Sequence, residues 1–186
     1  MTRKLDMCLV RHCAPTLAGL KAGNLFCLDL CEGVVLCDIL AHWNQVLNPK
    51  GVLARVIAER HGRYFIYVYR NNALQNLGNC CEVRDFLKGF GYMGFDVDSL
   101  LNFFQKRMTH SVCFPHEVGV FLGYPLQDVK DFIAYGGKNY KLIGCWKVYN
   151  DVPNCMHIFE VYKKCRKIFN ERFEQGDSLT NLTVAC

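Results

Sequence analysis

The run Arg63-Tyr-Phe-Ile-Tyr-Val-Tyr-Arg70 constrains the fold more than any other stretch of the chain. Its β-branched and aromatic residues are typical of a β-strand. The apolar run is not interrupted by polar residues, as it would be in a strand with one wet face. The pattern therefore predicts a strand covered on both faces, near the middle of a sheet.

Helical patterns before, between and after a few strand patterns predict an α+β fold, with a small, mostly buried sheet flanked by several helices. Residues 24–28 are predicted as a short strand, with continuation of the preceding helix as the alternative, and residues 140–149 as a second clear strand. Residues 1–176 are expected to form one globular domain, and residues 177–186 a frayed tail. The predicted helices are residues 32–47, 52–60, 73–77, 82–88, a segment capped by Asp96 or Asp98, a short segment between Pro115 and Gly123, 126–134 and 151–173.

Composition limits the classes of partner. The hydrophobic fraction of 51% is ample for a core, and the net charge of +5 is too small and too dispersed to predict nucleic-acid binding. No uncharged apolar stretch approaches the roughly 20 residues that cross a bilayer, so no membrane association is expected. Twelve cysteines without an export signal predict a cytoplasmic protein with reduced thiols.

The stretch around Cys13 is the first candidate for chemistry. Residues 5–11 are predicted as one helix and residues 16–22 as the start of another, separated at Pro15. A thiol at Cys13 would then face unpartnered N–H groups at a helix N-terminus, which favour the thiolate. The neighbouring polar side chains His12, Thr16 and Asn24 are candidates for ligand binding.

A cysteine nucleophile needs a nearby imidazole and a group that orients it. The hypothesis makes Cys13 the nucleophile, His116 the base and Glu117 or Asn24 the orienting group. The alternative is that Cys13 is a small buried residue and His116 a locally bonded helix residue.

Two further sites are considered. The aromatic residues Tyr67, Tyr69, Trp146 and Tyr149 either line a pocket beside Arg70 and Lys147, both candidate ligand-binding residues, or pack in the core. For a metal or haem site the spacings are weak, and neither Cys-x-x-Cys nor Cys-x-x-Cys-His occurs. No metal ligand and no cofactor are assigned. The weak spacings are Cys8-x-x-x-His12, Cys27-x-x-x-Cys31 and His110-x-x-Cys113-x-x-His116.

Four blocks together resemble a family of bacterial proteins, common in anaerobic clostridia, that is catalogued as domain of unknown function 3793. The resemblance covers almost the whole chain and implies a bacterial, cytoplasmic protein, but it implies no activity. The blocks are His12-Cys-Ala-Pro-Thr-Leu-Ala-Gly19, Phe65-Ile-Tyr-Val-Tyr-Arg70, Phe114-Pro-His-Glu-Val-Gly-Val-Phe-Leu-Gly-Tyr-Pro125 and Cys145-Trp-Lys-Val-Tyr149.

The function expected from the residues is small-molecule binding or a thiol-dependent reaction centred on Cys13. The alternative is a non-enzymatic protein that binds a metal, a cofactor or another protein. A pocket with Cys13 near His116 would favour catalysis, whereas a flat apolar patch would favour a protein partner.

Overall fold

A central antiparallel sheet organises the α+β fold of the computed structural model, which describes residues 2–29, 35–111 and 113–185. The strands are β1 (Gly23–Asp29), β2 (Val52–Arg60), β3 (Arg63–Arg70), β4 (Leu142–Ile143) and β5 (Lys147–Val148). The helices are α1 (Thr2–Leu17), α2 (Leu36–Leu47), α3 (Asn71–Asn79), α4 (Cys81–Lys88), α5 (Val97–His110), α6 (Val118–Phe121), α7 (Leu126–Ala134), α8 (Val152–Glu174) and α9 (Leu179–Leu182).

Strand β3 lies between β1 and β2 and pairs antiparallel with both, which confirms the prediction of a strand in the middle of the sheet. Its side chains alternate between two buried faces. Ile66 and Val68 belong to one hydrophobic cluster, and Tyr67 and Tyr69 to another. This double burial explains why the sequence of β3 is apolar throughout.

Helices cover both faces of the sheet. The first face packs against α1, α2, α9 and the end of α8, through residues that include Trp43, Phe173 and Leu182. The second face packs against α3, α4, α5 and α6, through residues that include Leu74 and Phe104. A third, smaller cluster joins the β4–β5 hairpin to α8.

The helix predicted over residues 52–60 is wrong, because this segment is strand β2. Its pairing with β3 overrides the helix propensity of Leu-Ala-Arg. Val52 and Ala54 join the first cluster, and Ile57 joins the second. The Asn44 side chain donates to the carbonyl of Ala54 and accepts from its N–H, which satisfies part of the exposed strand edge.

The predicted break at Pro15 is also wrong, since α1 continues through it to Leu17. Pro15 lies in the last turn of α1, where the missing N–H removes one i→i−4 backbone hydrogen bond. Leu9, Cys13 and Leu17 recur every four residues and are all fully buried. Burial of this continuous stripe outweighs the local effect of proline.

Residues 140–149 form a short hairpin of two two-residue strands, β4 and β5, and not the single predicted strand. Gly144 lies at its turn, where its N–H donates to the carbonyl of Trp146. A Cβ atom at position 144 would lie 2.2 Å from a ring carbon of Phe159 in α8. Glycine therefore lets the hairpin turn approach α8 closely.

The C-terminal segment differs from the expected frayed tail. It forms α9, with Leu179 and Leu182 buried, and the Val184 N–H donates to the carbonyl of Leu17. The helix predicted to start at residue 16 and run to residue 22 is wrong, because α1 ends at Leu17 and β1 begins at Gly23. Helix α7 has the predicted bounds, the other predicted helices are present with shifted ends, and Asp96 caps α5 as expected. Residues 30–34, where the helix over 32–47 was predicted to begin, lie outside the described residues. Among the described helices, none combines the length and the apolar character needed to cross a membrane.

Candidate functional site

An apolar pocket of about 290 Å³ lies between the segment leading into α6, helix α7 and the β4–β5 hairpin. Aromatic and aliphatic side chains form most of its wall, and the side chains of His116, Asp128 and Lys147 complete it. We call it the hairpin pocket. The apolar wall residues include Phe114, Val118, Tyr124, Val129, Phe132 and Trp146.

Asp128, in the first turn of α7, fixes the hairpin side of this pocket. Its Oδ2 accepts from the indole Nε1 of Trp146 at 2.8 Å, and its Oδ1 accepts from the backbone N–H groups of Tyr149 (3.0 Å) and Asn150 (3.2 Å). The Asn150 amide nitrogen donates to the same Oδ1 at 3.0 Å. This buried carboxylate is therefore occupied by protein donors, and its role is to hold Trp146 against the pocket.

Stacked rings continue the wall. Trp146 stacks on Tyr124 with ring centroids 4.9 Å apart and meets the edge of Phe159 at 4.5 Å. Burial raises the pKa of Tyr124 to about 12, so its phenol is neutral at physiological pH. The Tyr124 hydroxyl donates to the carbonyl of Cys145 at 3.1 Å. This side of the pocket is thus a neutral aromatic surface.

Lys147 supplies a cation at the pocket. Its Nζ donates to the carbonyl of Gly137 at 2.7 Å and lies 5.6 Å from the ring centroid of Phe132 and 4.9 Å from that of Tyr140. Gly137 has φ +73°, which is unfavourable for other residues. A turn after α7 therefore presents the carbonyl that positions the ammonium group.

His116 lies in the pocket wall against α7, with its ring edge-on to Phe132 of that helix at a centroid distance of 5.1 Å. Two of the residues selected from the sequence, His116 and Lys147, thus line the same cavity. Glu117 does not orient His116. It is completely buried and pairs with Arg107 at 2.7 Å. Its Oε2 and the Tyr92 hydroxyl are buried without a hydrogen-bond partner in the described part of the chain.

Cys13 lies elsewhere, in the cluster on the first face of the sheet, whereas His116 lines the hairpin pocket. Cys13 lies within α1 and not at a helix N-terminus, and its side chain is fully buried. Burial raises the pKa of the Cys13 thiol, with a smaller opposing effect of Lys21. The thiol is therefore the protonated, unreactive form at neutral pH. His12, its neighbour, is exposed and stacks on Phe26 at 5.0 Å.

The remaining predicted ligand-binding residues hold the end of α1. The Thr16 hydroxyl donates to Asn24 Oδ1 at 2.7 Å. Arg70, buried at the end of β3, donates to the carbonyls of Thr16 and Leu17 at 2.7 Å and of Val184 at 2.9 Å. A guanidinium at the carboxyl end of a helix satisfies the last carbonyls and complements the helix dipole. Arg70 thus joins β3, α1 and the C-terminal segment.

The model of one protein family, described as "Protein of unknown function (DUF3793)", matches residues 9–183. This chain belongs to the DUF3793 family. The resemblance drawn from the four sequence blocks is thereby confirmed. No curated protein and no solved structure matches the chain. The family description assigns no activity, so a functional argument for this DUF3793 protein depends on the geometry of its own pocket.

Sequence reasoning missed the most connected residue of this pocket, Asp128. In the sequence it is only an acidic residue near the start of a predicted helix, and its hydrogen-bond partners lie 18 to 27 residues further on. The proposed metal spacings lead to no site in the described ranges, where no three His, Cys, Asp or Glu side chains converge. Cys31, part of one spacing, lies outside those ranges.

Proposed function

We propose that this DUF3793 protein binds a small, mainly apolar molecule in the hairpin pocket. The observation that carries the proposal is the wall itself, in which several aromatic rings surround a cavity of about 290 Å³ with few polar groups. Ligand pockets are typically lined by apolar and aromatic side chains with a few placed polar groups. The volume is near the lower limit of the roughly 300–1,000 Å³ common for such sites, which suits one or two fused rings.

The pocket supports binding better than a thiol-dependent reaction at Cys13. A cysteine nucleophile has to meet its substrate as a thiolate, and Cys13 is buried in the core with a raised pKa. Among the described residues that line the hairpin pocket there is also no cysteine. The proposed activity is therefore recognition of a ligand and not covalent catalysis by Cys13.

The proposed setting is the cytoplasm. All ten cysteines in the described ranges are free. Five of them are exposed: Cys27, Cys37, Cys80, Cys81 and Cys113. Exposed free thiols are compatible with a compartment that keeps cysteine reduced, and they would be oxidised in a secretory compartment.

The test is a titration with 2-naphthalenemethanol, a neutral two-ring probe, followed by amide and indole chemical shifts in NMR spectra. We expect saturable shifts concentrated at the indole N–H of Trp146 and the backbone N–H groups of Gly119 and Gly144, which line the pocket. The second tryptophan, Trp43, lies in the cluster on the first face of the sheet and serves as an internal reference.

Two isoleucines give a matched pair of variants. Ile143 lines the pocket and is 62% exposed, whereas Ile168 is 40% exposed on α8 and lies outside the pocket lining. We expect Ile143→Ala to weaken binding about fivefold, since part of an apolar side chain leaves the contact, and Ile168→Ala to leave it unchanged. Shifts scattered away from the pocket, or equal affinities of the two variants, would refute the proposal.

A further inference from the structure

We infer that the ligand of the hairpin pocket is an apolar anion, an aromatic or branched carboxylate or a similar acid, whose negative group binds Lys147. This inference rests on the proposed function and names the chemical class of the ligand. It follows from which polar groups of the pocket are already satisfied by the protein and which are still able to bind.

The only carboxylate that lines the described pocket cannot serve as a receptor for a cationic ligand. Both oxygens of Asp128 already accept hydrogen bonds, from the Trp146 indole, two backbone N–H groups and the Asn150 amide. These donors surround the carboxylate with positive partial charge and leave it 2% exposed. A ligand ammonium would have to displace them, which leaves buried donors unpaired.

Lys147, by contrast, has donors to spare. An ammonium group has three N–H donors, and in the described structure Lys147 makes one hydrogen bond, to the carbonyl of Gly137. That bond and the flanking rings of Phe132 and Tyr140 hold the nitrogen in one place beside the cavity. A cation held in advance loses less side-chain entropy when it binds an anion.

The charge of the surrounding segment favours the same ligand. Residues 135–150, from the turn after α7 through the hairpin, contain the three lysines Lys138, Lys141 and Lys147 and no aspartate or glutamate, and Asp131 and Asp151 flank this segment. His116, whose ring also contacts Phe132, adds a further nitrogen to the pocket lining. Clustered charge of one sign beside an apolar cleft raises the local concentration of a ligand of opposite charge.

Three probes with the same ring system separate charge from shape: 2-naphthoate, 2-naphthalenemethanol and 2-naphthylmethylammonium. A hydrogen bond to a charged group strengthens binding by about tenfold or more. We therefore expect naphthoate to bind at least about tenfold more tightly than the alcohol. The ammonium probe should bind most weakly. Dissociation constants come from the NMR titration, which also reports where each probe binds.

Lys147→Met and Lys141→Met form the matched pair of variants. Both remove one positive charge from the same hairpin segment, but only Lys147 lines the pocket. We expect Lys147→Met to abolish the preference for naphthoate over the alcohol, and Lys141→Met to keep most of it. Amide spectra of both variants establish that the hairpin is still folded.

The outcomes distinguish the two proposals. If the alcohol binds in the pocket as tightly as naphthoate, or if Lys141→Met removes the preference as fully as Lys147→Met, the anionic ligand is refuted while the pocket remains a binding site. If none of the three probes shifts the resonances of the pocket, both proposals are refuted.

Discussion

Asp128 connects α7 to the hairpin, so its replacement tests how the pocket is built. Asp128→Ala removes the acceptor of the Trp146 indole and of the Tyr149 backbone N–H, both in residues that are at least nine-tenths buried. Asn150 is exposed and can turn to water. Each buried donor left without a partner costs about 1–3 kcal/mol. The expected loss of unfolding free energy is thus about 4 kcal/mol for the two donors.

Asp128→Asn separates the two halves of this effect. Its oxygen can still accept from the N–H groups of Tyr149 and Asn150, but its amide nitrogen then faces the donor Nε1 of Trp146. One donor is lost instead of two, and the expected cost is about 2 kcal/mol. Asp131→Ala on the same helix is the control. Within the described residues Asp131 accepts only from the side chains of Gln127 and Asn150, in exposed bonds, so about 0.5 kcal/mol is expected.

Urea unfolding of the four proteins, followed by far-ultraviolet circular dichroism at pH 7, measures these differences. The expected order of stability is wild type, Asp131→Ala, Asp128→Asn and Asp128→Ala. A cost below about 1 kcal/mol for Asp128→Ala would refute the reasoning, because buried donors of this kind are not left unpaired so cheaply. Equal costs for the Asn and Ala variants would show that charge, and not the arrangement of acceptors, holds the hairpin.

Three other substitutions or reactions test the rest of the fold. Burial lowers the pKa of Lys21 from 10.5 to about 8, so the charged side chain reduces the free energy of unfolding below pH 8, and this penalty is lost as the pH rises towards 10.5. Lys21→Met should therefore raise the free energy of unfolding by up to about 3 kcal/mol at pH 7 and by about 1 kcal/mol at pH 9.5. A variant that is destabilised at pH 7 in urea unfolding would contradict this. Tyr67→Phe removes the 2.6 Å hydrogen bond to the buried carbonyl of Phe121 and should cost about 1–2 kcal/mol in the same assay, whereas a neutral effect would contradict the assigned bond. Iodoacetamide should label the exposed Cys80 and Cys81 in the native protein well before the buried Cys13. Mass spectrometry of digests taken at successive times measures the order of labelling. Early labelling of Cys13 would restore it as a candidate nucleophile.

The central strand of the sheet could be predicted from the sequence because burial on both faces requires apolar residues at successive positions. Strand β3 is apolar at successive positions and rich in β-branched and aromatic residues, which favours a strand over a buried helical segment. Strand β2 could not be predicted in the same way. Residues such as Leu53, Ala54 and Arg55 are good helix formers, and only their register against β3 makes them a strand.

The candidate site shows the same division between local and long-range information. His116 and Lys147 were selected as chemically capable side chains, and the fold brings them to one pocket. They are 31 positions apart in the sequence, so no local pattern encodes that they meet. Cys13 was selected for a helix break that Pro15 suggests in isolation. Packing of the α1 stripe into the core decides otherwise, because one lost backbone hydrogen bond costs less than exposing several apolar side chains.

The position of the pocket has a consequence for how binding and folding are coupled. Its hairpin strands are two residues long, and such a hairpin is not stable alone in water. Contacts outside the hairpin hold it, chiefly Asp128 of α7 with Trp146 and Tyr149, and Phe159 of α8 against Gly144. A ligand between α7 and the hairpin would touch both parts and would favour the docked arrangement over local opening. The central sheet, packed separately between its two helical layers, can remain unchanged while the hairpin responds to the ligand.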